Sequence, residues 1–167
     1  MESGVEEAVV KKSVRVKASI ERAFHVFVEQ METWWPKSHH IGAQEWGLIV
    51  IEPRVGGRWY EQDAAGGQCD WGTVLQWDPP HKARFRWHVG PKRDSEEWGY
   101  DPETSRASEV EIRFTAEGGA TLVELEHSKL ERHGIGAEKL RAIFDSPGAW
   151  EEILASYARV VGEKKAR

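Results

Sequence analysis

His127 is the side chain best placed for acid–base chemistry, because period-two alternation along 121–127 sets it on one strand face with Val123 and Leu125. Its ordinary pKa is about 6.5, and burial among apolar neighbours would keep the ring neutral, ready to accept a proton or to bond a guest. A core imidazole satisfied by a backbone or hydroxyl partner is the plainer use of the same placement. Other reactive residue types are less suggestive. His39 and His40 are adjacent in a loop with no further ligand at a recognised spacing, so no metal is expected. The one cysteine, Cys69, excludes an intramolecular disulfide and an all-cysteine metal site, and reads as a small residue in or beside a strand. No serine nucleophile elbow occurs. The turn Arg54-Val55-Gly56-Gly57 leads into a strand pattern instead of the helix that a phosphate-binding loop needs. With no catalytic set assigned, a binding domain is the first expectation and an enzyme the lesser one.

What the chain offers in quantity is indole. Of nine tryptophans, seven (Trp34, Trp35, Trp46, Trp59, Trp71, Trp77 and Trp87) fall between positions 34 and 87. Each brings a large apolar surface and a single N–H donor, so a tryptophan-rich sheet can wall a chamber for a flat apolar or aromatic molecule. The expected ligand-binding set is Trp34, Trp35, Trp59, Phe85, Trp87, Phe114, Leu125, His127 and Tyr157, with no cofactor required. Trp77 and Trp150 are expected to serve packing alone.

These residues must be positioned by the elements around them. Residues 8–17 read as a first strand. Ser19 then caps a helix whose buried face is Ile20, Phe24, Phe27, Val28 and Met31, and Pro36 marks the boundary beyond Trp34 and Trp35. Strands are expected at 46–52, 57–63, 70–77, 83–89, 109–116 and 121–127, separated by turns at 53–56, 64–67, 78–81 and 117–120. Alternation turns Ala83, Phe85 and Trp87 inward and Arg84, Arg86 and His88 outward, and turns Val110, Ile112 and Phe114 inward. A last helix of about 15 residues opens on a Ser146 cap and Pro147 and carries a stripe of Trp150, Ile153, Leu154, Tyr157, Val160 and Val161. The aperiodic stretch 90–108 is expected to be disordered, or else a lid carrying Trp98 and Tyr100.

At 167 residues the chain suits one domain, with an ordered core over about 8–162. Its hydrophobic share is 40%, and it has no apolar run long enough to cross a bilayer, so membrane insertion is not expected. A net charge of −5 with dispersed basic residues argues against nucleic acid as a partner. The acidic start, Met1 to Glu7, has no leader pattern, which makes the cytoplasm the expected compartment.

Four segments carry a family likeness: Glu52-Pro53-Arg54-Val55-Gly56-Gly57-Arg58-Trp59, residues 72–87 from Gly72 to Trp87, Leu125-Glu126-His127-Ser128, and Gly148-Ala149-Trp150-Glu151-Glu152-Ile153-Leu154. Together they resemble the activators of the heat-shock-protein-ninety ATPase, a family within the START-related (SRPBCC) superfamily, in that family's order over nearly the whole chain. The resemblance implies an α+β helix-grip fold: a curved antiparallel sheet of about seven strands wrapped around a long C-terminal helix, with two short helices after the first strand. It also implies a ligand cavity between sheet and helix. The same fold hosts other roles. The rival expectations are a chaperone-associated protein that binds a chaperone or other protein, and a cyclase or hydrolase using the same cavity.

Overall fold

The computed structural model describes residues 9–36, 46–91, 98–133 and 137–162. Strand β1 (Val10–Val16) leads into helix α1 (Ile20–Glu29), whose first turn is held by Ser19 Oγ accepting from the Arg22 N–H at 3.1 Å. A 3-10 turn, Met31–Thr33, then delivers Trp34 and Trp35 to the core. The meander β2 (Trp46–Ile51), β3 (Arg58–Asp63), β4 (Gln68–Asp78) and β5 (Lys82–Trp87) follows, as alternation predicts. A small hairpin of β6 (Val89–Pro91) and β7 (Trp98–Tyr100) precedes the long pair β8 (Ser108–Glu117) and β9 (Ala120–Ser128). The chain closes with a 3-10 turn, Leu130–His133, then α2 (Ala137–Asp145), an irregular turn Pro147–Glu151, and α3 (Glu152–Gly162).

Seven strands form one antiparallel sheet in the order β1-β9-β8-β5-β4-β3-β2, gripping α3: the expected helix-grip α+β fold. Gly56, at φ +86°, makes the β2–β3 turn that other residues would resist. Two rows of paired residues cross the sheet and prepare the site. One runs Val10, His127, Val110, Phe85 and Val74; the next runs Ser108, Trp87, Gly72, Trp59 and Ile51. The β3–β4 register slips between Trp59 and Tyr60, leaving Trp71 as the extra residue of a bulge, and its indole is buried beside Trp59.

Three polar ties fasten α3 to the front of the chain. Tyr157 O–H donates to the Ala23 carbonyl at 2.7 Å, Ser156 Oγ to the Trp34 carbonyl at 2.6 Å, and Arg22 Nε to the Val161 carbonyl at 3.1 Å. Burial pushes the Tyr157 phenol well above its usual range, so it stays a donor. Tyr157→Phe is therefore expected to lower the unfolding free energy by about 1–2 kcal/mol in urea titrations. An unchanged midpoint would show that this tie adds nothing.

Several expectations need correction. Residues 137–145, where the pattern predicts no element, form α2; it buries Leu140 and Phe144, four residues apart on one face. The final helix is not one rod of about 15 residues: α3 has 11, and the turn before it is broken at Ala149, with φ −108° and ψ −119°. Trp150 sits on that turn. Ser146 does not cap it; its Oγ donates backward to the Ile143 carbonyl at 2.6 Å. Within 90–108, the β6–β7 pairing and a 3-10 turn at Thr104–Arg106 are ordered, while 92–97 lie outside the described residues. His88, expected to face outward, is buried, because its Nδ1–H donates to the Asp101 carbonyl at 2.7 Å and its ring lies against Tyr100. His39 and His40 fall outside the described residues, as do the side chains of Trp46 and Trp98. Among the described residues, no helix is long and apolar enough to cross a membrane.

Candidate functional site

All nine residues expected to bind ligand are buried, and they divide into two groups. Trp34, Phe114 and Tyr157 pack with Phe27 of α1, at ring-centroid distances of 4.9–5.9 Å. Their polar atoms are satisfied: Trp34 Nε1 donates to the Val26 carbonyl at 2.9 Å, as Tyr157 does to Ala23. This group joins α1 to α3. Leu125 belongs to the same wall, paired with Ile112 across β8. Trp35 bridges to the second group, touching Trp34 on one side and Trp71 and Trp150 on the other.

The second group is the candidate site. Trp59 contacts Trp71, Phe85 and Trp87 at 5.0–5.5 Å, and Trp87 contacts His127 at 5.3 Å, Trp150 at 5.5 Å and Phe144 at 5.7 Å. Most of these contacts are edge-to-face, the geometry favoured by ring quadrupoles. The space between sheet and C-terminal helix is thus filled here by rings in mutual contact. Three of their N–H groups are engaged, Trp71 Nε1 by the buried Glu61 carboxylate at 2.8 Å, Trp87 Nε1 by the Val89 carbonyl at 2.6 Å and Trp150 Nε1 by His127. Trp59 Nε1 is not. Trp59 is only 2% exposed, and its N–H has no hydrogen-bond partner among the described residues, a loss of about 1–3 kcal/mol for a buried donor.

A directed polar chain lies beside these rings. Trp150 Nε1, which can only donate, bonds His127 Nδ1 at 3.0 Å. A neutral His127 must then carry its proton on Nε2 and give it to Ser108 Oγ, 2.8 Å away. The Ser108 hydroxyl in turn donates to His133 Nε2 at 2.9 Å, which leaves the His133 proton on Nδ1. Burial, helped by the nearness of His133, holds His127 well below the usual imidazole pKa. Burial also pushes His133 down to about 4, against the opposing attraction of Asp101. Both rings are therefore neutral near pH 7. Among the described residues, no three His, Cys, Asp or Glu side chains gather as metal ligands.

Sequence reasoning missed Ser108, His133 and Phe144, and gave Trp150 a packing role alone. Ser108 was within reach of it, since it continues the inward series of Val110, Ile112 and Phe114. His133 carried no such signal, because its place is set by the turn after β9.

Known proteins place this architecture. A family model described as Activator of Hsp90 ATPase homolog 1-like protein matches residues 17–162. Among solved structures, the chain is 42% identical to the anthrahydroquino-gamma-pyrone synthase Txn09, solved in complex with a ligand abbreviated SUM; the match covers 91% of this chain and 96% of that one, at a TM-score of 0.63. It is 28% identical to CalC, a self-sacrificing resistance protein from Micromonospora echinospora, over 95% of this chain and 97% of that one, at a TM-score of 0.66. The Aha1 dimer from Colwellia psychrerythraea, at 14% identity, 95% and 98% coverage and a TM-score of 0.59, shows likeness of fold alone. No curated protein matches the sequence. The fold, the order of its elements and the match over residues 17–162 agree: the chain belongs to the family of activator of Hsp90 ATPase homolog 1-like proteins.

Proposed function

We propose that this protein binds a planar, oxygenated polycyclic aromatic molecule between the sheet and the C-terminal helix, in contact with Trp59, Trp87 and Trp150. The observation that carries this reading is the orphaned Trp59 N–H, a buried donor that a ligand carbonyl would satisfy. A flat guest that parts these rings exchanges ring–ring contacts for ring–ligand contacts of the same kind, which offsets part of the cost of opening the packed interior. The row from Ser108 to Trp59 spans three strand spacings, about 14 Å, a length that matches a linear fused polycycle. The 42% identity with an anthrahydroquino-gamma-pyrone synthase supports that ligand class.

The test is a titration of intrinsic fluorescence with 1,8-dihydroxyanthraquinone, expected to quench at micromolar concentrations. Trp59→Phe keeps an aromatic ring but removes the donor together with the pyrrole portion of the indole, and is expected to weaken binding about 10-fold, the equivalent of one hydrogen bond. Its stability is expected to fall by no more than about 1–2 kcal/mol, because removal of the unsatisfied group offsets part of the cost of the cavity left by the smaller ring. A flat wild-type titration, or equal binding by Trp59→Phe, would contradict the assignment.

A second reading, that the protein also transforms its ligand, is favoured by the Trp150, His127, Ser108 and His133 chain, which places an imidazole in hydrogen-bonded contact with the aromatic group. The chaperone-associated reading draws support from the family's description and from a fold likeness to a protein of 14% identity. The ligand-binding reading has a named donor behind it.

A further inference from the structure

We propose that the aromatic ligand carries a protonated amine, and that the buried Glu61 carboxylate receives it beside Trp71, at the Trp35 end of the site. The inference deepens the binding reading above and rests on it.

Among the described residues, Glu61 is the one Asp, Glu, Lys or Arg that is buried, at 2% exposure. It lies on the inward face of β3, two residues beyond Trp59, with Ile49 of β2 and Cys69 of β4 as its cross-strand neighbours. The register slip that makes Trp71 the extra residue of β4 brings its indole into the same space, where its N–H donates to Glu61 Oε1 at 2.8 Å. Trp71 also contacts Trp59 at 5.4 Å and Trp35 at 5.0 Å. The carboxylate is thus one indole away from the orphaned Trp59 N–H, the donor that already points to a ligand.

Burying a carboxylate costs far more than burying an apolar side chain of the same size, so its place in an aromatic wall calls for a compensating use. A carboxylate is an acceptor only, with about four lone-pair positions, and the bond to Trp71 does not exhaust it. It selects a donor, and a cation ahead of a neutral donor. An ammonium cancels the buried charge and is drawn to the faces of indole rings, whereas a hydroxyl supplies a hydrogen bond alone.

The surrounding field has the same sense. Half-buried Asp63 follows Glu61 on the inward face of β3, just before the exposed turn 64–67, so acidic groups lead from the surface toward the rings. Their field is felt at Cys69, whose thiol is pushed up by burial first and then by the carboxylates of Glu61, Asp63 and Asp70. Two strand residues separate Trp59 from Glu61, about 7 Å, so a guest whose carbonyl meets the Trp59 N–H presents its amine at about that remove. The ligand class is a fused aromatic ketone or quinone bearing a basic amine on a short arm.

The experiment compares two probes of one shape, 2-(aminomethyl)anthraquinone, cationic near neutral pH, and the uncharged 2-(hydroxymethyl)anthraquinone. Binding is followed by tryptophan quenching at about 0.15 M salt, where exposed charges are screened beyond about 8 Å. Wild-type protein is expected to bind the amine about 10-fold more tightly than the alcohol, a modest preference because the ammonium must itself shed water. Glu61→Gln keeps an acceptor for the Trp71 N–H and removes the charge. It is expected to bind the alcohol within about 3-fold of wild type and the amine within about 2-fold of the alcohol. Glu138→Gln removes the same charge from the exposed side of α2 and should retain the full preference. A preference that survives in Glu61→Gln, or that Glu138→Gln abolishes as well, overturns the proposal. Wild-type protein that binds the alcohol, and the amine no more tightly, overturns this proposal alone and needs no variant to fold; wild-type protein that binds neither probe overturns it together with the binding reading.

Discussion

Gly72→Ala is expected to cost about 4 kcal/mol or more, enough to unfold much of a domain of ordinary stability. A Cβ on Gly72 would fall inside the van der Waals envelope of the Arg86 carbonyl oxygen and 2.9 Å from its carbon, with the Trp87 Cα 3.6 Å away. All three atoms are backbone of β5, so relief requires pulling β4 from β5 in the middle of the sheet. Side-chain overpacking typically costs about 1–3 kcal/mol because rotamers give way; here none can. Gly72 also pairs with Trp59 on one side and Trp87 on the other, so separation of the strands would disperse the aromatic site. Gly119 is the control: nothing lies within 4 Å of its Cβ position, and Gly119→Ala should stay within about 0.5 kcal/mol of wild type. Urea or thermal melts decide the matter, and a Gly72→Ala protein melting like wild type would refute it.

Lowering the pH from about 7 to about 5 is expected to remove up to ~4 kcal/mol of stability. His127 and His133 are held neutral in the folded protein, with pKa values below the unfolded value of about 6.5, that of His133 about 4. The unfolded chain therefore binds protons that the folded chain refuses. Their contribution is complete above about pH 6.5 and is lost as the pH falls toward the folded values. Each ring contributes at most about 1.4 kcal/mol per pH unit, and two rings over about 1.5 units give the figure stated. His88, lowered by burial against the bond to Asp101, acts in the same direction. Carboxylates enter at lower pH: burial opposes the charge on Glu109 and Glu111, but Arg84 and neighbouring cations prevail and hold both below the usual range. Unfolding free energies measured across this interval should fall steeply, and His133→Gln should lessen the slope by about one proton. A flat profile down to about pH 5 would mean that these histidines are not buried as described.

The sheet was legible because its strands obey period two and its turns carry Gly, Pro and Asp. Phe85, Trp87, Val110, Ile112, Phe114, Val123, Leu125 and His127 all face inward as alternation requires. The rule failed at His88 because a distant segment, β7 and Asp101, covers what would otherwise be an outer position. The indoles were legible as buried, but their division of labour was not. Whether a Trp N–H meets a carbonyl, a carboxylate, an imidazole or nothing depends on contacts between elements far apart in sequence, such as Trp150 with His127. α2 escaped notice because its apolar face is narrow, with Leu140 and Phe144 buried and Ile143 exposed. The family likeness anticipated the architecture correctly, since the order of elements is what a fold preserves.

The pairing of β1 with β9, Val10 opposite His127 and Val16 opposite Thr121, bears on how the molecule is made. During synthesis the ribosome must finish more than a hundred further residues before Val10–Val16 can find their neighbour. The β2–β5 meander can zip locally meanwhile, with its tryptophans uncovered by α3. Closure over so long a chain segment is slow, in the millisecond-to-second range typical of such topologies. The nascent protein thus depends on α2 and α3, made late, to shelter the aromatic surface that it exposes first.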